Sequence, residues 1–249
     1  METMATTLPD ETLAPSSSFS EIQALEQQYL LQNYARYPLA LHRGKGCYVY
    51  DLAGNRYLDL ITGIGVNSLG YAHPRITKVI RQQAGLLLHT SNLYYHEYQG
   101  KLAERIAKAS GLARSFFCNS GTEAMEGALK MLRSHGNAIG PAKHEVVSLE
   151  NSFHGRSLGA LSVTGQPKYR KDFEPLLPGV RFVPRGDMAA LENAVNENTA
   201  GILLEIIQGE GGIYPLDEKF VRRLMSISRI LFKGFQDQGI NSSRQFWVE

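Results

Sequence analysis

RSFFCNSGTEAMEGALK, residues 114–130, decides how this 249-residue chain is read. The apolar run RSFFC, 114–118, predicts a strand. It stops at the small polar residues Asn119, Ser120, Gly121 and Thr122. Helical spacing then begins at once in EAMEGALKMLRSHG, 123–136. The polar turn therefore sits where the carboxyl end of a strand meets the amino end of a helix. The first N–H groups of a helix lack internal partners and carry partial positive charge, which makes an anion site with phosphate as a frequent guest. Gly121 lets the backbone come close to such a guest, and Ser120 and Thr122 offer hydroxyls. An ordinary helix cap explains Ser120 and Thr122 equally well, so residues elsewhere in the chain have to decide.

Downstream of this stretch, strands and helices alternate. HEVVSLE (144–150), RFVP (181–184) and AGILLEI (200–206) read as strands. DMAALENAVNEN (187–198), with Asp187 near its start, and DEKFVRRLMSIS (217–228) read as helices. This pattern predicts an α/β fold, a mostly parallel sheet flanked by helices, with ligands beyond the carboxyl ends of the strands. Upstream, Phe19 to Tyr34 reads as a helix opened by Ser18 and Ser20. CYVYD and RYLDL form a hairpin through Leu52-Ala53-Gly54-Asn55, and the glycine-rich segment ITGIGVNSLGYAHP is irregular. Pro74 opens a helix over PRITKVIRQQAGLLL, and another covers about Gly100 to Ala109.

With 43% hydrophobic and 20% charged residues the chain has material for a sizeable core. A net charge of +2 without a basic run gives no nucleic-acid footprint. No apolar run approaches the ~18 residues of a membrane span. Cys47 and Cys118 do not make a disulfide framework, and suit a reducing, cytoplasmic compartment. Residues 1–18 are polar, lack arginine and an apolar core, and read as a disordered tail rather than a targeting signal.

Gly63 and Gly65 begin a GxG, but Ser68 stands where the third glycine of a dinucleotide loop belongs. Gly155-Arg156-Ser157-Leu158-Gly159 fits the G-x-S-x-G elbow of hydrolases, yet all seven histidines precede Ser157, so the required downstream base is missing. His96-Glu97 and His144-Glu145 each lack the second histidine of HExxH, and no metal site is assigned.

Three further segments, taken with the opening stretch, carry a resemblance. LHTSNLYYHEYQGKLAERI precedes FFCNSGTEAMEGALK; SFHGRSLGALSVTGQPKYR and ILLEIIQGEGGIYP follow. Their order and spacing resemble class III aminotransferases, fold-type I enzymes that use pyridoxal 5′-phosphate. Within that class, the first segment and VNSLGYAHP are most similar to the branch acting on acetylornithine. The resemblance covers about Ile22 to Ile227. It implies that Ser120, Gly121 and Thr122 hold the cofactor phosphate, and that Phe153 and His154 lie beside the cofactor, Phe153 against its ring. It implies that Arg156 grips a substrate carboxylate, and that Glu205 and Glu210 lie near the substrate and help govern which amino group enters. Other branches (ornithine, succinylornithine and 4-aminobutyrate aminotransferases) share these segments. The substrates implied are an amino donor and a 2-oxo acid, and the family's assembly is a homodimer.

The same resemblance implies a division into a tail (1–18), an amino-terminal segment of a small domain (19–73), part of a cofactor-binding large domain (74–228) and a tail outside the family pattern (229–249). This chain reads Glu205-Ile206 where relatives have Glu-Pro, and Met125 and Gly127 where they often carry a polar residue and alanine. After Ser228 the family's Asp-Glu-Val strand and its lysine loop cannot be placed, and neither Lys233 nor Asp237 is given a role. No catalytic residue is assigned. The expectation is a truncated or frame-altered form, inactive by itself, that binds cofactor or pairs with a complete chain.

Overall fold

The computed structural model describes residues 15–236, with side chains to residue 227. Asp237 and the tails beyond these limits lie outside the described residues. The chain forms two compact units, divided between Tyr95 and His96.

The first unit opens with helix α1 (Phe19–Tyr29), started by a capping box in which Ser18 and Glu21 each take the other's backbone N–H. The helix stops five residues short of the expected Tyr34. Leu30 is extended, and the Gln32 side-chain amide donates to the Glu26 and Leu30 carbonyls, closing the helix end. Strands β1 (Leu41–Lys45), β2 (Tyr48–Asp51) and β3 (Arg56–Leu58) form an antiparallel sheet in that order. The hairpin between β2 and β3 is the expected one. Gly54 takes φ +84°, and Asp51 accepts from both the backbone N–H and the side-chain amide of Asn55. β1 was not anticipated, since LHRGK has no apolar alternation. Helix α2 (Pro74–Ala84) begins at the expected proline.

The second unit begins with helix α3 (Glu97–Ser110), ended by Gly111 in the left-handed region, and continues to α4 (Gly121–Ile139). Between them, RSFFC is not a strand: no described strand hydrogen-bonds to residues 114–118. An apolar run becomes a strand only where a neighbour completes its ladder. Here Phe116 stays 64% exposed and its ring lies over Gly127 of α4.

The sheet that organises this unit runs β5-β4-β6, from β4 (Glu145–Leu149), β5 (Val180–Val183) and β6 (Thr199–Leu203), all parallel. The central strand β4 is buried on both faces, as its apolar sequence EVVSL requires. Val147 and Leu149 face one core with Val183, with Leu191 of α7 (Met188–Ala194) and with Phe220 and Leu224 of α8 (Glu218–Gln236). Val146 faces the other core with Met125 and Leu129 of α4 and with Ala160 and Val163 of α5 (Leu158–Val163). Ser148 shares that second face, and its hydroxyl donates 2.7 Å to the Val163 carbonyl. Asp187 caps α7 as expected, its carboxylate accepting from the Ala190 N–H. The last helix runs past the expected residue 228 to Gln236, so Lys233 lies within it.

Gly127 offers a first prediction. A β-carbon there would sit 3.2 Å from Phe116 Cε1, tight, but against an exposed ring that can turn aside. The helix-propensity gain of alanine, up to ~1 kcal/mol, therefore dominates. Gly127→Ala is expected to raise the urea midpoint. A lowered midpoint would mean that the Phe116 ring is fixed in place.

Candidate functional site

The segment leaving β4 carries the site. Asn151 turns the chain with φ 59°, and its N–H donates to the Gly165 carbonyl while the Gly165 N–H donates to the Ser152 carbonyl. This closes residues 151–165 into a loop pinned beneath the sheet end. A β-carbon on Gly165 would lie 2.0 Å from the Leu149 carbonyl oxygen, so the pinning requires glycine. Phe153, His154 and Arg156 thus stand just beyond the carboxyl end of β4. Glu205 stands two residues beyond the end of its neighbour β6, where ligands gather in sheets of this kind.

These two strand ends are tied directly: the Phe153 N–H donates 3.0 Å to Glu205 Oε2. Burial raises the Glu205 carboxyl above its ordinary value, opposed by the N–H bonds it receives from Phe153 and Gly209. Glu210 lies in the following loop. Tyr169, from the short helix α6 (Pro167–Arg170), donates its hydroxyl 2.6 Å to Glu210 Oε1. The Tyr169 ring meets Phe153 edge-on at 6.3 Å between centroids. It also carries the Arg156 guanidinium 4.5 Å from its centroid. Phe153, Arg156 and Glu210 are therefore brought together around Tyr169, and Glu205 joins them through the Phe153 N–H.

The opening turn joins the same cluster from the other side. Ser120 caps α4, accepting the Glu123 N–H at 3.2 Å, while Glu123 reaches back to accept the Asn119 N–H at 2.8 Å. The N–H groups of Gly121 and Thr122 are left without intrahelical partners. Gly121 is exposed, with open space where a β-carbon would be. Thr122 meets the FHGR loop: its Oγ1 lies 2.9 Å from Ser157 Oγ and accepts the Ser157 N–H at 3.4 Å. Ser157 in turn donates 2.5 Å to Glu126 Oε1, which also accepts the Ala160 N–H. Glu126, from α4, thereby caps α5 in place of Ser157, whose own hydroxyl makes no cap bond. With its hydroxyl engaged, what Thr122 offers an anion is its backbone N–H. The Ser157 hydroxyl has a carboxylate partner and no histidine base, so it is held as a structural link.

His154 is buried. Its backbone N–H donates to Thr164 Oγ1, but its side-chain Nε2 has no hydrogen-bond partner among the described residues. Burial lowers its pKa from 6.5 to about 4, so the ring is neutral at pH 7. An orphaned imidazole nitrogen, a helix start with free N–H groups, and a half-buried aromatic ring fit a polar aromatic ligand bearing a phosphate.

Tyr169, Glu126 and the Thr122–Ser157 link were not anticipated. Tyr169 was visible as an aromatic between two cations, Lys168 and Arg170, shortly after the Phe153 loop. Nothing local marks Glu126, whose partners lie 31 and 34 residues away.

The family model for class III aminotransferases matches residues 29–230. An acetylornithine aminotransferase of Methanocaldococcus jannaschii is 46% identical over 204 residues, 82% of this chain and 51% of that protein. One from Aquifex aeolicus is 46% identical over 202 residues, 81% of this chain and 54% of that protein. The chain thus spans about half the length of the curated relatives it matches. Among solved structures, the ornithine aminotransferase of Toxoplasma gondii superposes with a TM-score of 0.81 at 31% identity, covering 86% of this chain and 52% of that one. An omega transaminase of Pseudomonas jessenii, solved in complex with PMP, gives 0.76 at 27% identity over 84% of this chain and 53% of that one.

Proposed function

The chain belongs to the class III aminotransferases, and from that premise we propose that it carries the phosphate-binding, ring-holding and carboxylate-binding part of an enzyme that moves the amino group of N2-acetylornithine to 2-oxoglutarate. The observation that carries this reading is the junction of three separate segments at one sheet edge: the SGT turn through Thr122 and Ser157, the FHGR loop through Phe153, and the EIIQGEGG loop through Glu205. The acetylornithine reading over the ornithine one is supported by 46% identity to relatives named for the first and 31% to a structure named for the second.

The cofactor is pyridoxal 5′-phosphate, which supplies an electron sink for the carbon bearing the migrating amino group. The free N–H groups of Gly121 and Thr122, with the Ser120 hydroxyl, would hold its phosphate. Phe153 would offer a flat apolar face to the ring, and His154 Nε2 a buried polar partner. Arg156 is exposed and pairs with no carboxylate among the described residues, so its fork is open to a substrate carboxylate. Glu205, fixed by the Phe153 N–H, places a carboxyl near the incoming amine. No residue is assigned as the proton-transferring base, and neither Lys233 nor Asp237 is assigned that role. A homodimer is the assembly the family implies, and exposed apolar side chains such as Ile64, Val66, Leu88 and Tyr95 leave surface for a partner or for further chain to cover. The two free, exposed cysteines accord with the cytoplasm.

The test is a fluorescence titration of the chain with pyridoxal 5′-phosphate and with pyridoxal. Charge-assisted bonds worth ~1.5–3 kcal/mol each predict at least about tenfold tighter binding of the phosphorylated form. Gly121→Asp, which puts a carboxylate into the anion's place, is expected to abolish that preference. Equal affinity for both ligands in the unaltered chain would sink the reading.

A further inference from the structure

Tyr169 meets charges of both signs, and its neighbour Lys168 also lies over the ring, Nζ 4.6 Å from the centroid. Its ring face carries the Arg156 guanidinium at 4.5 Å, and its hydroxyl donates 2.6 Å to Glu210 Oε1. Arginine and glutamate held this near one another would ordinarily pair, because the guanidinium fork matches a carboxylate. They do not: no ion pair involves Arg156 among the described residues. The tyrosine occupies both partners by different means, the cation through its π face and the anion through its O–H.

We propose that Tyr169 is a positioning residue that keeps Arg156 and Glu210 apart, so that the guanidinium stays open to an incoming carboxylate. This rests on the reading of Arg156 as the carboxylate site. The placement follows from the fold. α6 follows the pinned loop at once, so Tyr169 is carried back over Phe153, the two rings 6.3 Å apart. Glu210 reaches the hydroxyl from the loop beyond β6. Removing the hydroxyl alone leaves the ring under Arg156 but releases Glu210, which is then free to swing onto the guanidinium and compete with substrate. Arg156 is exposed, so the competing pair is a surface pair of modest strength.

The experiment measures glutarate binding to the chain by calorimetry, with Tyr169→Phe made in two backgrounds. In the unaltered background it is expected to weaken binding about fivefold, the competition of one exposed ion pair. In the Glu210→Gln background the same change is expected to have no effect, because no carboxylate remains to be released. An equal loss in both backgrounds would show that Tyr169 merely packs, and no loss in either would show that it does not hold Glu210; each overturns the proposal while leaving Arg156 as the carboxylate site. If the unaltered chain fails to bind glutarate, or binds it as well after Arg156→Ala, the carboxylate reading and the proposal fall together.

Discussion

Gly155→Ala is expected to destabilise the chain by roughly 3–5 kcal/mol and, on the proposed role of the SGT turn, to remove the preference for a phosphorylated ligand in whatever remains folded. Two independent penalties combine. Gly155 has φ 127°, a backbone region closed to residues with a β-carbon. The added methyl would also lie 2.5 Å from Thr122 Oγ1, 2.9 Å from Thr122 Cβ and 3.0 Å from Ala160 Cβ. The two β-carbons are fixed by their backbones, so α4, α5 or the loop between must move even if the Thr122 hydroxyl turns aside. Any such movement breaks the Thr122–Ser157 contact that seats the FHGR loop against the SGT turn. Set against a total stability of ~5–15 kcal/mol, this is a large fraction. Urea unfolding checks it directly, and an unchanged midpoint would refute it. Making Gly155→Ala in a Thr122→Gly background, and measuring it against Thr122→Gly alone, separates the penalties, because both Thr122 atoms are then gone while the backbone strain and the Ala160 contact remain. Partial recovery is expected, and full recovery would assign the whole cost to the clash.

The elements that sequence foretold are those whose signals are local. Helix starts at Ser18 and Asp187 rest on caps within three residues, the start at Pro74 rests on the fixed φ of a first-turn proline, and the β2–β3 turn rests on Gly54 and Asn55. The parallel sheet was legible because β4 is apolar at successive positions, the mark of a strand covered on both faces. RSFFC carried the same mark and is not a strand, because pairing depends on a neighbour that its own residues do not specify. The site divides along the same line. Ser120, Gly121, Thr122, Phe153, Arg156, Glu205 and Glu210 were named through motifs; what joins them was not. Glu126 reaches Ser157 across 31 positions, and Tyr169 reaches Glu210 across 41. Neither pair follows a helical or strand period, so only the folded chain reveals it.

His154 is expected to make the chain acid-labile in a defined window. Its folded pKa is about 4, against an ordinary 6.5, with burial as the cause. Because the folded value is the lower one, the unfolded chain binds the proton more readily between the two. The stability this residue contributes is therefore fully present above pH 6.5 and is lost as the pH falls towards 4. The difference corresponds to about 3 kcal/mol. Glu205 works in the opposite sense. Burial raises its pKa, so its contribution is present at low pH and is lost as the pH rises through the raised value. A single pH–stability curve mixes the two. Subtracting the curve of His154→Phe from that of the unaltered chain leaves Glu205 and every other carboxylate common to both, and isolates the histidine. Phenylalanine also leaves no nitrogen unpartnered, where His154 Nε2 has no partner among the described residues. At pH 7 the variant is expected to be about as stable as the unaltered chain, and near pH 4 to be more stable by up to about 3 kcal/mol. Parallel urea-midpoint curves from pH 7 to 4 would mean that the imidazole keeps an ordinary pKa and is reached by water. Pyridoxal 5′-phosphate bound beside the imidazole would satisfy Nε2 and bury it further, so the same subtraction repeated with saturating ligand is expected to move the acid limb, while an unmoved limb would place the ligand away from His154.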